Sequence, residues 1–176
     1  MSQKHQELEN YFINEKIGQG VFSKVYRASH KLTDEQVAVK IYDKLALENA
    51  HRREMIQSEI DILKTLNHRS IIKYKDFHED AHKIYIILEL FKGVPLNQYV
   101  EKMWGSTPRR QNSKIDNWTK HTQAKGLRKL REDEWKIIFK QVLTGVAYLH
   151  RKYIWHRDIK LSNILINESK VLWVML

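Results

Sequence analysis

His156-Arg157-Asp158-Ile159-Lys160-Leu161-Ser162-Asn163 sets an acid, two cations and an amide within one short stretch. Asp158 can take a proton from an incoming hydroxyl, Lys160 can neutralise charge on a transferring phosphoryl group, and Asn163 can hold a magnesium ion. Those are the parts of a phosphoryl-transfer site. A charged turn after a helix is the plain alternative for an octapeptide read alone, so its surroundings must decide.

Upstream, Glu132 to His150 predicts a helix, with acids Glu132, Asp133 and Glu134 at its start and bases Arg151 and Lys152 at its end. Trp135, Ile138, Phe139, Val142, Val146 and Leu149 supply its apolar stripe, and Gly145 weakens it by about 1 kcal/mol. Tyr153-Ile154-Trp155 then delivers the chain to His156; the sequence gives no physical reason for the bulky Trp155. Downstream, Ile164 to Ile166 predicts a short strand, and Val171-Leu172-Trp173-Val174-Met175-Leu176 is an apolar end.

Near the start, Tyr11 to Ile17 predicts a strand that gives way to Ile17-Gly18-Gln19-Gly20-Val21-Phe22-Ser23-Lys24-Val25. Glycines there let backbone amides approach phosphate oxygens, although Ser23 takes the third place of Gly-x-Gly-x-x-Gly and a plain glycine hairpin would read alike. Another strand, Val25 to Ala28, follows instead of a helix, which argues against a dinucleotide-binding turn and for a flap between two strands. In the next strand, Gln36 to Tyr42, alternation puts Ala38 and Lys40 on one face. From Ala50 to about Leu66 an amphipathic helix buries Ile56, Ile60 and Leu63, with Asn67 as its stop. Glu59 falls on that apolar face, where a carboxylate needs a cation or a path to water. A turn and strand over His68 to Phe77 precede Lys83 to Phe91, whose near-continuous apolar run implies burial on both faces and which Gly93 and Pro95 end. Leu96 to Trp104 predicts a short helix.

Taken in order, these stretches resemble the protein kinases. The glycine flap, Val37-Ala38-Val39-Lys40, Glu59 nineteen residues after that lysine, and His156 to Asn163 match the family, the last fitting H-R-D-L-x-x-x-N with Leu changed to Ile. Lys160, beside Asp158, resembles the serine/threonine branch. The resemblance covers residues 11 to 176 and implies an α+β fold: an antiparallel-sheet small lobe with one helix, and the beginning of a mostly helical large lobe, incomplete. It divides the chain into a polar leader (1–10), small lobe and hinge (11–92) and partial large lobe (93–176).

What the family implies follows residue by residue. ATP and Mg2+ are the expected cofactors and a protein the substrate. Asp158 would be the base, Lys160 the charge stabiliser and Asn163 a magnesium ligand. Lys40 would hold the α- and β-phosphates with Glu59 as its brace. Ile17, Gly18, Gly20 and Ser23 belong to the nucleotide flap, Val25, Ala38 and Leu165 would enclose adenine, and Leu88 would line the back of the pocket. The backbone of Glu89 and Phe91 would face the base. Pro95 stands where many members carry an acid for the ribose, so that contact is not implied.

Counted from Asn163, the magnesium-binding Asp of the family's Asp-Phe-Gly would fall at Leu176, and the motif is absent. Losing even about 4 kcal/mol of transition-state stabilisation costs roughly a thousandfold in rate, so slight activity is expected of this chain alone. The family's inner column of Leu63, Tyr74 and His156 lacks its Phe, and Arg157 lacks an activation-loop partner. The Trp135 helix then expects partner helices and the apolar end makes a sticky strand, which predicts aggregation. Two other readings stand beside catalysis: a weak or inactive nucleotide-binding chain acting as competitor or scaffold, and an anion-binding module.

The third reading comes from charge. The 176 residues carry a net +10, but Lys102 to Arg131 holds nine Lys or Arg against Asp116 alone, so that segment contributes +8. With no apolar periodicity, it reads as a disordered insertion that could meet an anionic partner, without a strong case for nucleic acid. There is no Cys, which points to a reducing, intracellular compartment, cytoplasmic or nuclear. Met1 to Asn10 lacks a signal-peptide core, no apolar run approaches the ~20 residues of a membrane span, and the nine His show no metal-ligand grouping.

Overall fold

The structure, a computed structural model, describes residues 7–47, 50–104, 130–169 and 172–174. Strands β1 (Glu7–Leu8), β2 (Tyr11–Gln19), β3 (Ser23–His30), β4 (Gln36–Asp43), β5 (Tyr74–Glu79) and β6 (Lys83–Glu89) form one antiparallel sheet in the order β1-β2-β3-β4-β6-β5. Alternation assigns its two faces. Val37, Val39 and Ile41 of β4 bury against Ala28, Tyr85, Ile87 and the β2 residues Tyr11 and Ile13. Tyr42 points the other way with Ile84 and Ile86, onto helix α1 (Ala50–Thr65), which presents Ile56, Ile60 and Leu63 as expected. A one-residue slip of β4 would exchange the two sets, so the core itself fixes which side Lys40 takes.

The strand ends differ from the expectation in ways hydrogen bonds explain. Ser23 pairs across the ladder with Tyr42, and Gly20 N–H donates to the Ser23 carbonyl at 2.8 Å, so the flap tightens and both flanking strands lengthen. At the far end β6 stops at Glu89, short of Phe91. Pro95, expected to end that strand, belongs to a second sheet. Here β7 (Val94–Pro95), β8 (Ile164–Ile166) and β9 (Leu172–Val174) lie in sequence, with Pro95 opposite Leu165 on the edge strand where a missing N–H is tolerated. Gly93 is required at the turn between the sheets: a Cβ there would collide with the Phe91 ring and the Ile166 carbonyl.

Helices α2 (Leu96–Trp104) and α3 (Glu132–Arg151) pack on the second sheet. Ile138 and Val142 of α3 join Leu96, Val100, Ile164 and Ile166 in one cluster, so the expected stripe finds its partners within the chain. Phe139 is a correction: it is 62% exposed, one turn from the exposed Leu143 on another face of α3. That face borders an open cavity of about 700 Å³ lined by Trp135, Phe139, Leu143 and Ala147 among others. Farther along, Leu149 packs with Leu66 and Ile71, while the Tyr148 hydroxyl accepts from Asn67 N–H at 2.9 Å.

The described part of the apolar end is also a correction. A strand forms as expected but is not left open on both sides: β9 pairs with β8, Val174 is buried, and its N–H donates to the Ser70 carbonyl at 2.9 Å. Gly145 faces this junction, where a Cβ would lie at ordinary contact distance, 3.5 Å from the Ser70 carbonyl oxygen and 3.6 Å from Val174. Residues 1–6 of the leader, most of the basic segment (105–129) and Leu176 lie outside the described residues. No helix among the described residues is long and apolar enough to cross a membrane.

Candidate active site

On the α1 face of the sheet, Lys40 Nζ meets Glu59 Oε1 at 2.6 Å, with the side chains 19% and 21% exposed. The apolar stripe of α1 brings the carboxylate there, and strand alternation brings the ammonium. Removing either partner strands the other charge in a site about four-fifths screened from water. Tyr42, unremarked in the sequence, donates its hydroxyl to Glu59 Oε2 at 2.8 Å, so the two carboxylate oxygens are held by residues two apart on β4. Burial, then the negative charge of Glu59 and the hydrogen bond to it, push the Tyr42 phenol far above its ordinary range. The signal for Tyr42 was present as the same alternation that paired Ala38 with Lys40.

Several residues expected on the nucleotide side neighbour Lys40 in the ladders. Val25 stands opposite Lys40, Ala38 opposite Leu88, and Val37 opposite Glu89 in the ladders. Directly opposed residues share a face, so Val25, Ala38, Lys40 and Leu88 form one patch. In the flap, Gly18 opposes Val25 and a Cβ on Gly20 would press to 2.9 Å from Ser23 Oγ, so the main chain stays bare where a phosphate would approach. Ile17 is exposed at an irregularity in the β2–β3 register, and the Arg52 guanidinium covers the Phe22 ring at 4.5 Å. At the strand's end Glu89 N–H donates to the Lys73 carbonyl, the Phe91 carbonyl accepts from Gly93 N–H, and Leu165 lies half-buried in β8.

The second cluster begins where α3 stops. Tyr153 takes a left-handed φ of 60° just past the helix, and its N–H and that of Ile154 close on the carbonyls of His150 and Leu149. Trp155 thereby gains a role the sequence did not supply, for its ring packs 4.6 Å from that of His150. Arg157 is also left-handed, at φ 60°, and turns the chain so that Asp158 N–H reaches both the His156 carbonyl at 2.8 Å and Nδ1 at 3.2 Å. Asp158 Oδ2 then accepts from Lys160 Nζ at 2.7 Å and from Asn163 Nδ2 at 2.9 Å. The Lys160 hydrogen bond, helped by Asn163, holds the Asp158 carboxyl below the usual carboxylate range. Asp158 is thus kept as an ionised, oriented acceptor.

With this geometry in hand, comparison with known proteins is direct: the protein kinase domain family matches residues 11–175. The chain belongs to the protein kinase family. Among its relatives, CBL-interacting protein kinase 25 of Oryza sativa subsp. japonica is 30% identical over 92% of this chain and 28% of its own length. Maternal embryonic leucine zipper kinase of Xenopus tropicalis is 34% identical over 94% of the chain and 22% of that protein. Serine/threonine-protein kinase PLK4 of Drosophila melanogaster is 30% identical over 92% and 18% respectively. This kinase chain therefore spans less than a third of the relatives it matches.

The two family cofactors fit unequally. The bare flap, the small Ala38 and the Lys40 ammonium suit a nucleotide triphosphate. For magnesium, the Asn163 amide turns its nitrogen to Asp158, which leaves its oxygen as the atom able to meet a cation. Among the described residues no group of three His, Asp or Glu side chains is placed to hold a metal. One amide oxygen falls short of the carboxylates that usually accompany Mg2+, so the described residues make an incomplete magnesium site.

Proposed function

We propose that this chain carries the nucleotide-binding and phosphoryl-transfer residues of a serine/threonine protein kinase acting on protein hydroxyls. The observation behind it is Asp158, ionised and aimed by Lys160 and Asn163 through one carboxylate oxygen. ATP, when bound, supplies the phosphoryl group. Lys40, steadied by Glu59, offers an ammonium to phosphate oxygens, and the flap between Gly18 and Ser23, closed by the Gly20 N–H to Ser23 carbonyl bond, lets its bare main chain come close to them. Asp158 takes the proton of the acceptor hydroxyl, and Lys160 keeps positive charge beside it. An intracellular setting is supported by the absence of Cys, and an anionic partner for residues 102–131 by their net +8.

A second reading, nucleotide binding without transfer, is supported by the Lys40–Glu59 pair and the bare flap, which suit a nucleotide by themselves. One experiment separates the two: transfer of labelled γ-phosphate to a library of Ser, Thr and Tyr peptides, beside nucleotide titration, for the wild-type chain and Asp158→Asn. Catalysis requires labelled Ser or Thr peptides and a loss of about a hundredfold or more in Asp158→Asn at unchanged nucleotide affinity. Binding without transfer supports the second reading, and transfer to Tyr alone overturns the serine/threonine assignment.

A further inference from the structure

We propose that Tyr42 is a positioning residue that locks Glu59, and through it Lys40, and couples the pair to the glycine flap. This rests on the nucleotide-site reading above. Glu59 is held from one strand at two points, Lys40 on Oε1 at 2.6 Å and Tyr42 on Oε2 at 2.8 Å, with the Lys40 ammonium 5.4 Å from the Tyr42 ring centre. A carboxylate gripped through a single oxygen can swing about its last torsion; one gripped through both cannot. The phenol is 6% exposed, so its hydrogen bond to a charged group is sheltered from competing water.

The flap joins the same network. Ser23, also buried, stands directly across the ladder from Tyr42, with its hydroxyl oxygen crowding the position a Cβ on Gly20 would take. Gly20 N–H in turn donates to the Ser23 carbonyl at 2.8 Å. The chain of contacts runs from flap backbone to Ser23, Tyr42, Glu59 and Lys40, and so links the phosphate-facing loop with the placement of α1. The Tyr42 ring meanwhile packs with Leu47, Ile56 and Ile84, contacts that a phenylalanine would keep. Tyr42→Phe therefore deletes the hydroxyl and spares the packing.

The test is a double-mutant cycle on the full chain: wild type, Tyr42→Phe, Glu59→Ala and the double variant, each titrated with a fluorescent ATP analogue and followed by amide hydrogen exchange without nucleotide. Tyr42→Phe should weaken the analogue about tenfold, the scale of one hydrogen bond to a charged group, and speed exchange in α1. In the Glu59→Ala background the same change should do nothing further, which a packing defect would not mimic. Wild-type affinity in Tyr42→Phe, or an equal loss in both backgrounds, overturns the proposal while leaving the nucleotide site standing. If the wild-type chain binds no analogue, the nucleotide reading fails and this proposal falls with it.

Discussion

Asn163 reaches back to Asp158, its amide nitrogen 2.9 Å from Oδ2 and 3.0 Å from the main-chain carbonyl. Lys160 completes the grip at 2.7 Å on the same Oδ2, so one side-chain oxygen carries an amide and an ammonium together. The left-handed turn at Arg157 makes this possible by pointing Asp158 back toward the residues that follow it.

Lys160→Met should raise the Asp158 pKa toward the ordinary aspartate range, because the Lys160 hydrogen bond is the largest cause of its depression. The sign follows from linkage. A carboxyl depressed in the folded state favours folding above its unfolded pKa, and that contribution disappears as pH falls through the folded value. With the ammonium gone, the carboxylate should protonate at higher pH. Carbon-13 titration of the Asp158 carboxyl in both proteins measures this, and coincident curves would contradict the assignment.

Asp80 gives the same argument a structural role. Its Oδ1 accepts from the N–H groups of His82 and Lys83, each at 2.7 Å, and its Oδ2 from the Tyr85 hydroxyl at 2.8 Å, pinning the turn between β5 and β6. Burial alone would push its pKa up, but the His82, Tyr85 and Lys83 hydrogen bonds outweigh that and hold it down. The turn's contribution should therefore be intact above the ordinary Asp pKa and fade as pH falls through the depressed folded value. Asp80→Ala should cost about 1 kcal/mol at neutral pH, a figure kept small by solvent screening, and chemical denaturation should give the same difference from wild type at pH 7 and pH 4, shrinking only as the pH is lowered further.

The contrast between what could and could not be read in advance has a physical basis. Periodicity sets the faces that Lys40 and Glu59 take, and the resemblance to the kinases supplies their pairing. The Ile56, Ile60 and Leu63 stripe follows from periodicity alone. Tyr42 was missed although the same period placed it, because an aromatic residue in a strand reads as core and its hydroxyl's partner lies on another element. Phe139 was misassigned because the apolar positions of α3 exceed one stripe, and only the packing of α2 and β8 selects Ile138 and Val142. Pro95 and Gly145 depend on neighbours far away in sequence, Leu165 for one and Ser70 with Val174 for the other.

Gly145 permits a prediction that follows from its reading as a weak point of the helix. A Cβ there would meet Ser70 and Val174 at 3.5 to 3.6 Å, ordinary van der Waals distances, so alanine fits without moving either neighbour. Gly145→Ala should stabilise the chain by about 0.5–1 kcal/mol through helix propensity. Gly145→Leu should destabilise it by roughly 1–3 kcal/mol, because the added atoms must enter the junction with β9. Thermal melts of the two variants should move in opposite directions, and a lowered midpoint in Gly145→Ala would mean that the junction has no room for a methyl group.

The two apolar faces of α3 should respond unequally to substitution. Ile138 is buried with Leu96, Val142 and Ile166, so Ile138→Ala removes side-chain volume from a closed cluster and should cost about 2–5 kcal/mol. Phe139 and Leu143 are neighbours in chain and hydrophobicity but more than half exposed, so Phe139→Ser and Leu143→Ser should each change stability by only about 0.5 kcal/mol. Their effect should appear in association instead, because both line the open cavity along α3. Denaturation midpoints and light scattering of the three variants separate the faces. Equal losses from Ile138→Ala and Phe139→Ser would mean that the face of Phe139 is covered in the folded protein.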